Sequence, residues 1–250
     1  MPLKENSHST NLTNLNKLIT IIISFGLKYA PKMFSITIAE LQKLPEIVKA
    51  ALINYDQTEV AYHKAIAIRS ASYQAINLLI TKAICSLRAS ETSNEVKENA
   101  KALVRKFRGS SLNRKTKAAQ PTTQTTPATA VVVTSTPELN VQRGFDDQLK
   151  NINQFILLLK SITEYNPAEA DITTASLTAM YNDLMTKNDA VIAATVAFNT
   201  AKIQQYNICD KPNTGMVDIA LAVKDYIKSV YGASSKEYRE VSSLMFKRFK

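Results

Sequence analysis

The sequence predicts an all-α protein: two tandem copies of a long-helix three- or four-helix bundle module, joined by a flexible linker. Three observations carry this. Only five glycines and no tryptophan occur in 250 residues, which disfavours turn-rich β sandwiches and Gly-rich nucleotide folds. The apolar pattern recurs along the chain at a fixed offset. Between the recurrences lies "KAAQPTTQTTPATAVVVTSTPELN", whose threonines and prolines fit a tether rather than a packed element.

Shifted by 136 residues, 15–69 aligns without a gap on 151–205, with nine identities. Tyr29 meets Tyr165, Pro31 meets Pro167, and Ile36, Thr37, Ala39 and Leu41 meet Ile172, Thr173, Ala175 and Leu177. At an offset of 123, 95–111 aligns on 218–234, with Lys101, Gly109 and Ser111 recurring as Lys224, Gly232 and Ser234. The two offsets differ by thirteen, so copy one holds thirteen more residues between the matched blocks. Punctuation by Tyr, Pro and Gly recurs together with the apolar residues, as a diverged duplication requires. The domains expected are repeat 1 over 11–112, a Thr/Pro-rich flexible linker over 113–144, and repeat 2 over 145–250.

In each copy a first helix spans roughly 11–29 or 145–165 and stops ahead of a proline, because the residue before proline disfavours the helical region. The apolar stretch "ITIIISFGLKYAP" has its twin in "FILLLKSITEYNP". A secretion signal has no reason to recur mid-chain, and the apolar run is about half of the ~20 residues of a membrane span. No transmembrane segment is expected. The second helix carries a seam at Leu177, Met180, Leu184, Val191, Ala194, Phe198 and Ala201, kept in copy one as Leu41, Leu44, Val48, Tyr55, Thr58, Tyr62 and Ala65. No glycine interrupts 36–90. A single helix there runs ~75 Å, with a kink expected at Pro45, whereas Asp56 with Glu59 has the spacing that starts a new helix. A last helix, 94–108 or 216–231, ends at Gly109 or Gly232 as a left-handed cap.

Chemistry is sparse. The chain has two histidines, His8 and His63, and Glu59 lies one turn from His63; one such pair is not the multi-helix ligand set of a di-metal bundle. No phosphate loop, HExxH or nucleophile-elbow motif occurs. No catalytic, metal or cofactor residue is assigned, no cofactor is expected, and the chain reads as a non-enzyme. Cys85 and Cys209 have neither zinc nor CxxC spacing and read as buried free thiols in a reducing compartment. The net charge is +10, compatible with nucleic acid, anionic lipid or an acidic protein. Its densest expression is "KALVRKFRGSSLNRKTK", 101–117, with seven bases and no acid. Lys101, Arg105, Lys106, Arg108, Arg114, Lys115 and Lys117 form a candidate anion or nucleic-acid patch, and the C-terminal Phe246 and Phe249 are placed either on bases or under the last helix.

The endings "VKDYIKSVYGASSKEY" (223–238) and "VAFNTAKIQQYN" (196–207) resemble a family of uncharacterised tandem helical-repeat proteins of the Bacteroidota. The resemblance implies the helical fold and a cytoplasmic location, and transfers no site residue; after Gly109 copy one lacks the EY element. Two functions follow as expectations. The first is a non-enzymatic scaffold that self-assembles or binds a helical protein partner through its long helices, with Ile76, Leu79 and Ala83 as the association surface. The alternative is a basic nucleic-acid-associated protein using 101–117, and a peripheral membrane role ranks third.

Overall fold

The computed structural model describes residues 7–108 and 137–249. Among them are seven α-helices and no strand: α1 (His8–Ser24), α2 (Ile38–Ala89), α3 (Asn94–Phe107), α4 (Pro137–Lys160), α5 (Thr174–Cys209), α6 (Met216–Tyr231) and α7 (Lys236–Ser242). Short 3-10 turns at Phe34–Ile36 and Ala170–Ile172 precede the two long helices. The linker expected at 113–144 lies outside the described residues up to 136. From there it is corrected, because α4 already begins at Pro137, where a fixed φ and a missing N–H suit a first helical residue.

Within 36–90 the chain forms one α-helix, Ile38–Ala89. α2 runs for 52 residues through Asp56 and Glu59, so the capping spacing starts nothing. Pro45 sits inside it and removes only the bond its N–H would give to the carbonyl of Leu41. α5 has 36 residues and begins 136 positions after α2, so the thirteen additional residues of copy one lie within the long helix. The first helices stop earlier than expected, at Ser24 and Lys160, five residues before the tyrosines. Gly232 does end α6 at a positive φ of 89°, but its ψ of 154° is not the left-handed helical value expected. Gly109 lies outside the described residues.

The chain packs as two units, each drawing on both sequence repeats. Unit 1 holds Met1–Lys64 and Ile192–Lys250, and unit 2 holds Ala65–Val191. In unit 1, α1 packs on α6 and α6 on α7, with Leu15, Leu18, Ile22, Val217, Val223 and Ile227 in one buried cluster. The α2 segment 38–64 pairs antiparallel with 192–209 of α5. Asn54 faces Gln204 at 3.2 Å, and the rings of Tyr62 and Phe198 stack at 5.5 Å. In unit 2, α3 packs on α4, and Val104, Phe107, Ile152, Phe155 and Leu159 share a cluster with Ile76, Ile80 and Leu87 of α2.

The duplication reaches single hydrogen bonds. Tyr29 Oη donates to the carbonyl of Ile36 at 2.7 Å, and Tyr165 Oη to that of Ile172 at 2.7 Å. Both tyrosines and both isoleucines are buried. Each tyrosine thereby closes its loop onto the 3-10 turn, satisfying a carbonyl that burial would otherwise strand. The turns match as well. Met33 and Glu169 have φ/ψ of −74/117° and −76/120°, while Thr37 and Thr173 have −67/150° and −61/153°. Burial pushes the Tyr29 phenol well above its usual range, with Tyr226 adding to it, and burial followed by Glu169 and Asp171 pushes Tyr165 up to about 12. Both stay neutral donors.

Candidate interaction surfaces

The basic stretch begins on α3. An N-terminal cap from Ser93 (Oγ accepting from the Val96 N–H) starts this helix, and Ala100, Val104 and Phe107 form its buried stripe, which leaves its bases on the outer faces. Lys101 is half-buried and donates to Glu98 at 2.5 Å, lowering that carboxyl's pKa. Arg108 donates to Thr81 Oγ1 of α2 at 2.6 Å. Arg105, Lys106 and Arg108 are exposed. Arg114, Lys115 and Lys117 lie outside the described residues. Three of the seven bases therefore stand on α3 and Arg108 caps its end; one of these four, Lys101, is engaged by a carboxylate.

The association surface expected at Ile76, Leu79 and Ala83 is corrected. Ile76 and Ala83 are buried in the unit 2 core and Leu79 is packed against it. The added length of α2 is covered because α4 and α3 both lie in the same unit. One flank goes to Ile152, Phe155 and Leu159 of α4, a neighbour contributed by the other repeat. A seam read within one copy could not reveal that cover. Cys85 is also corrected: it is exposed, while Cys209 is buried and its thiol is pushed up to about 12 by burial and by Asp210.

Unit 2 holds a buried polar network. Arg69 of α2 is 3 % exposed. Its Nη1 donates to Asn188 Oδ1 at 3.1 Å, its guanidinium lies 3.9 Å from the centre of the Phe145 ring, and Asn188 Nδ2 donates to Asp146 Oδ1 at 2.9 Å. Tyr73 adds a bond from Oη to the Phe145 carbonyl at 3.2 Å. Charge, amide and carboxylate alternate, so a buried cation is met by oriented dipoles and a π face. At the positions 136 away, unit 1 has Gln205 in place of Arg69 and Leu52 in place of Asn188.

Unit 1 instead binds its own C-terminal segment. Asn11, 2 % exposed, reads the backbone of Lys247 with both ends of its amide: Nδ2 donates to the carbonyl at 2.7 Å, and Oδ1 accepts from the N–H at 3.2 Å. Asn14 Nδ2 donates to the Met245 carbonyl at 2.8 Å, and Asp210 Oδ1 accepts from the Phe249 N–H at 3.1 Å. Arg248 pairs with Asp218. The Phe249 ring meets His8 edge-on at 4.6 Å, and Phe246 packs on the unit 1 core. Both phenylalanines are thus held by the protein itself. His8 lies 3.5 Å from Asp210, and its Nδ1 is buried with no hydrogen-bond partner among the described residues. Burial lowers its pKa, and Asp210 opposes this in part.

Outside these clusters the long helices still expose apolar side chains. On α5, Ile192, Val196 and Ile203 are exposed at spacings of four and seven, which places them on one stripe roughly opposite the seam through Phe198 and Ala201. That second stripe was missed in the sequence because the first seam already accounted for an amphipathic helix; its own four-and-seven spacing was the available signal. Among the described residues no group of three or more His, Cys, Asp or Glu is placed to hold a metal, and His63 is exposed beside the Tyr62 ring. No helix among them is long and apolar enough to cross a membrane. No protein-family model, no curated protein and no solved structure matches the chain.

Proposed function

We propose that the chain is a non-enzymatic scaffold that associates with a second copy of itself, or with a helical partner, through the outer face of α5. The observation that carries this is the exposed stripe Ile192, Val196 and Ile203, 61 % exposed at the last two positions. A stripe at heptad-like spacing pairs with the same stripe of a second helix, and a two-fold arrangement makes one patch serve both partners. Burying each such side chain favours association by about 1.5–3 kcal/mol before ordering costs are subtracted. The reading includes descent from the Bacteroidota helical-repeat family, on the strength of the 223–238 ending.

Sedimentation over a range of concentrations tests it. Wild type should form a dimer that Val196→Asp/Ile203→Asp returns to monomer with unchanged circular dichroism. A wild type that stays monomeric at every concentration and binds no helical partner removes the reading. The basic α3 face then becomes the better account, since Arg105, Lys106 and Arg108 are exposed and are followed in the sequence by Arg114, Lys115 and Lys117. DNA binding that weakens steeply with salt and is lost on Arg105→Ala/Lys106→Ala supports that alternative.

A further inference from the structure

The loop joining the first helix to the long helix occurs twice, and the two copies differ in one consistent way. Unit 1 carries Leu27, Lys28, Lys32, Met33 and Phe34 where unit 2 carries Thr163, Glu164, Ala168, Glu169 and Ala170. The backbone is not the reason, because the tyrosine bond and the turn dihedrals are the same in both. The fold therefore tolerates a polar, acidic loop at this place and does not call for an apolar, basic one. Yet Leu27 is 99 %, Phe34 72 % and Met33 58 % exposed.

The exposure of Leu27 is built in. Gly26 has a φ of +59°, a conformation that glycine takes without penalty, and it carries the 3-10 turn that puts Leu27 outside. The equivalent of Gly26 is Ile162, which is buried. Residues 25–37 contain no acid. Asp225 of α6, across a shallow hollow of about 350 Å³ lined also by Lys32, Met33 and Tyr226, is the acidic residue among that hollow's lining.

We propose that this loop is a docking tip for an anionic lipid surface, with Leu27, Phe34 and Met33 entering the acyl boundary and Lys28 and Lys32 meeting the headgroups. A protein partner would need an apolar surface shaped to Leu27, Met33 and Phe34, with acidic groups placed against Lys28 and Lys32. A lipid interface deforms around protruding tips and supplies negative charge uniformly. The combination of highly exposed apolar side chains and lysines, with no acid over 25–37, fits that surface, and the acidic second copy of the loop serves as an internal control.

The chain has no tryptophan, so Leu27→Trp and Thr163→Trp each give a single fluorophore at equivalent places. With vesicles of phosphatidylcholine and phosphatidylserine in equal parts, Leu27→Trp should shift to the blue and Thr163→Trp should not. In vesicle sedimentation, Leu27→Asp/Phe34→Asp should lower partitioning by ~10-fold or more for each side chain, and Lys28→Glu/Lys32→Glu by roughly 5-fold per lysine, with circular dichroism unchanged. No shift at Leu27→Trp overturns the proposal, as does vesicle binding that survives Leu27→Asp/Phe34→Asp. A blue shift that depends on protein concentration without lipid also overturns it, and assigns the tip to a second copy of the chain.

Discussion

Unit 1 and unit 2 use the same helix–loop–long-helix plan and finish it differently. Unit 2 closes around Arg69, Asn188, Asp146 and the Phe145 ring, with additional turns of α2 covered by α4. Unit 1 has Leu52 and Gln205 at the corresponding positions and closes by strapping residues 245–249 onto α1 through Asn11 and Asn14. What both retain is the loop tyrosine and its carbonyl. The difference teaches that the latch defines the plan, whereas the means of closing each unit was free to diverge.

The largest expected effect comes from making unit 2 resemble unit 1 at one position. Asn188→Leu removes the oxygen that accepts from Arg69 and leaves a cation buried with fewer dipoles, which should cost about 2–4 kcal/mol in urea denaturation. Adding Arg69→Gln, to complete the unit 1 pair, should recover at least half of that loss. If the single substitution is harmless, the network does not distinguish the units.

An intermediate effect is expected at the latch. Tyr29→Phe and Tyr165→Phe each remove one donor and strand a buried carbonyl, so each should cost about 1–3 kcal/mol. Equal geometry calls for nearly equal losses, and denaturation of the two variants side by side measures them. Losses that differ by more than about 1 kcal/mol would mean that the two latches, alike in geometry, are not alike in energy.

The smallest effect is a pH dependence confined to unit 1. His8 is at the first position of α1, faces Asp210 and the Phe249 ring, and has its pKa lowered mainly by burial. Above the ordinary value of 6.5 it is neutral folded or unfolded and contributes no slope. As pH falls through 6.5 towards the lowered folded value, the unfolded chain takes the proton first, so stability declines. The stabilisation that depends on a neutral His8 is thus present above 6.5 and lost as pH falls through the folded value. The decline should be smaller than the losses at the latch and should vanish in His8→Gln. Hydrogen exchange between pH 8 and pH 5.5 should show the loosening at 245–249 and not in α3 or α4.

Much of the plan was legible in the sequence. The seam of α5, the matched Tyr and Ile pairs and the ends of α3 and α6 all follow from residue spacing, because helical periodicity and chain-stopping residues are local signals. The association surface was not. A seam states that a face will be covered without stating by what, and here α3 is covered by α4 and α1 by α6, each across the repeat boundary. Ile76 and Ala83 therefore read as unpartnered in a sequence whose own copy could not cover them. The same limit hid the role of Asn11, whose partner is 236 positions away. By contrast, the loop difference at Leu27/Thr163 and Phe34/Ala170 was open to inspection in the aligned copies, and needed only the question of which matched positions change from polar to apolar.

The interleaving of the repeats sets a timetable for synthesis. Unit 2 is one contiguous stretch, Ala65–Val191, whereas unit 1 needs residues up to 64 together with residues from 192 onward. At ribosomal rates of ~5–20 residues per second, the interval between them is on the order of ten seconds. During that time Leu15, Leu18 and Ile22 of α1 wait for Val217, Val223 and Ile227, which have yet to be translated. The middle of the chain can fold first, and the early helix is left in need of a chaperone or a temporary substitute until the last helices emerge. A released chain truncated after Val191 should therefore hold unit 2 folded and α1 open to protease.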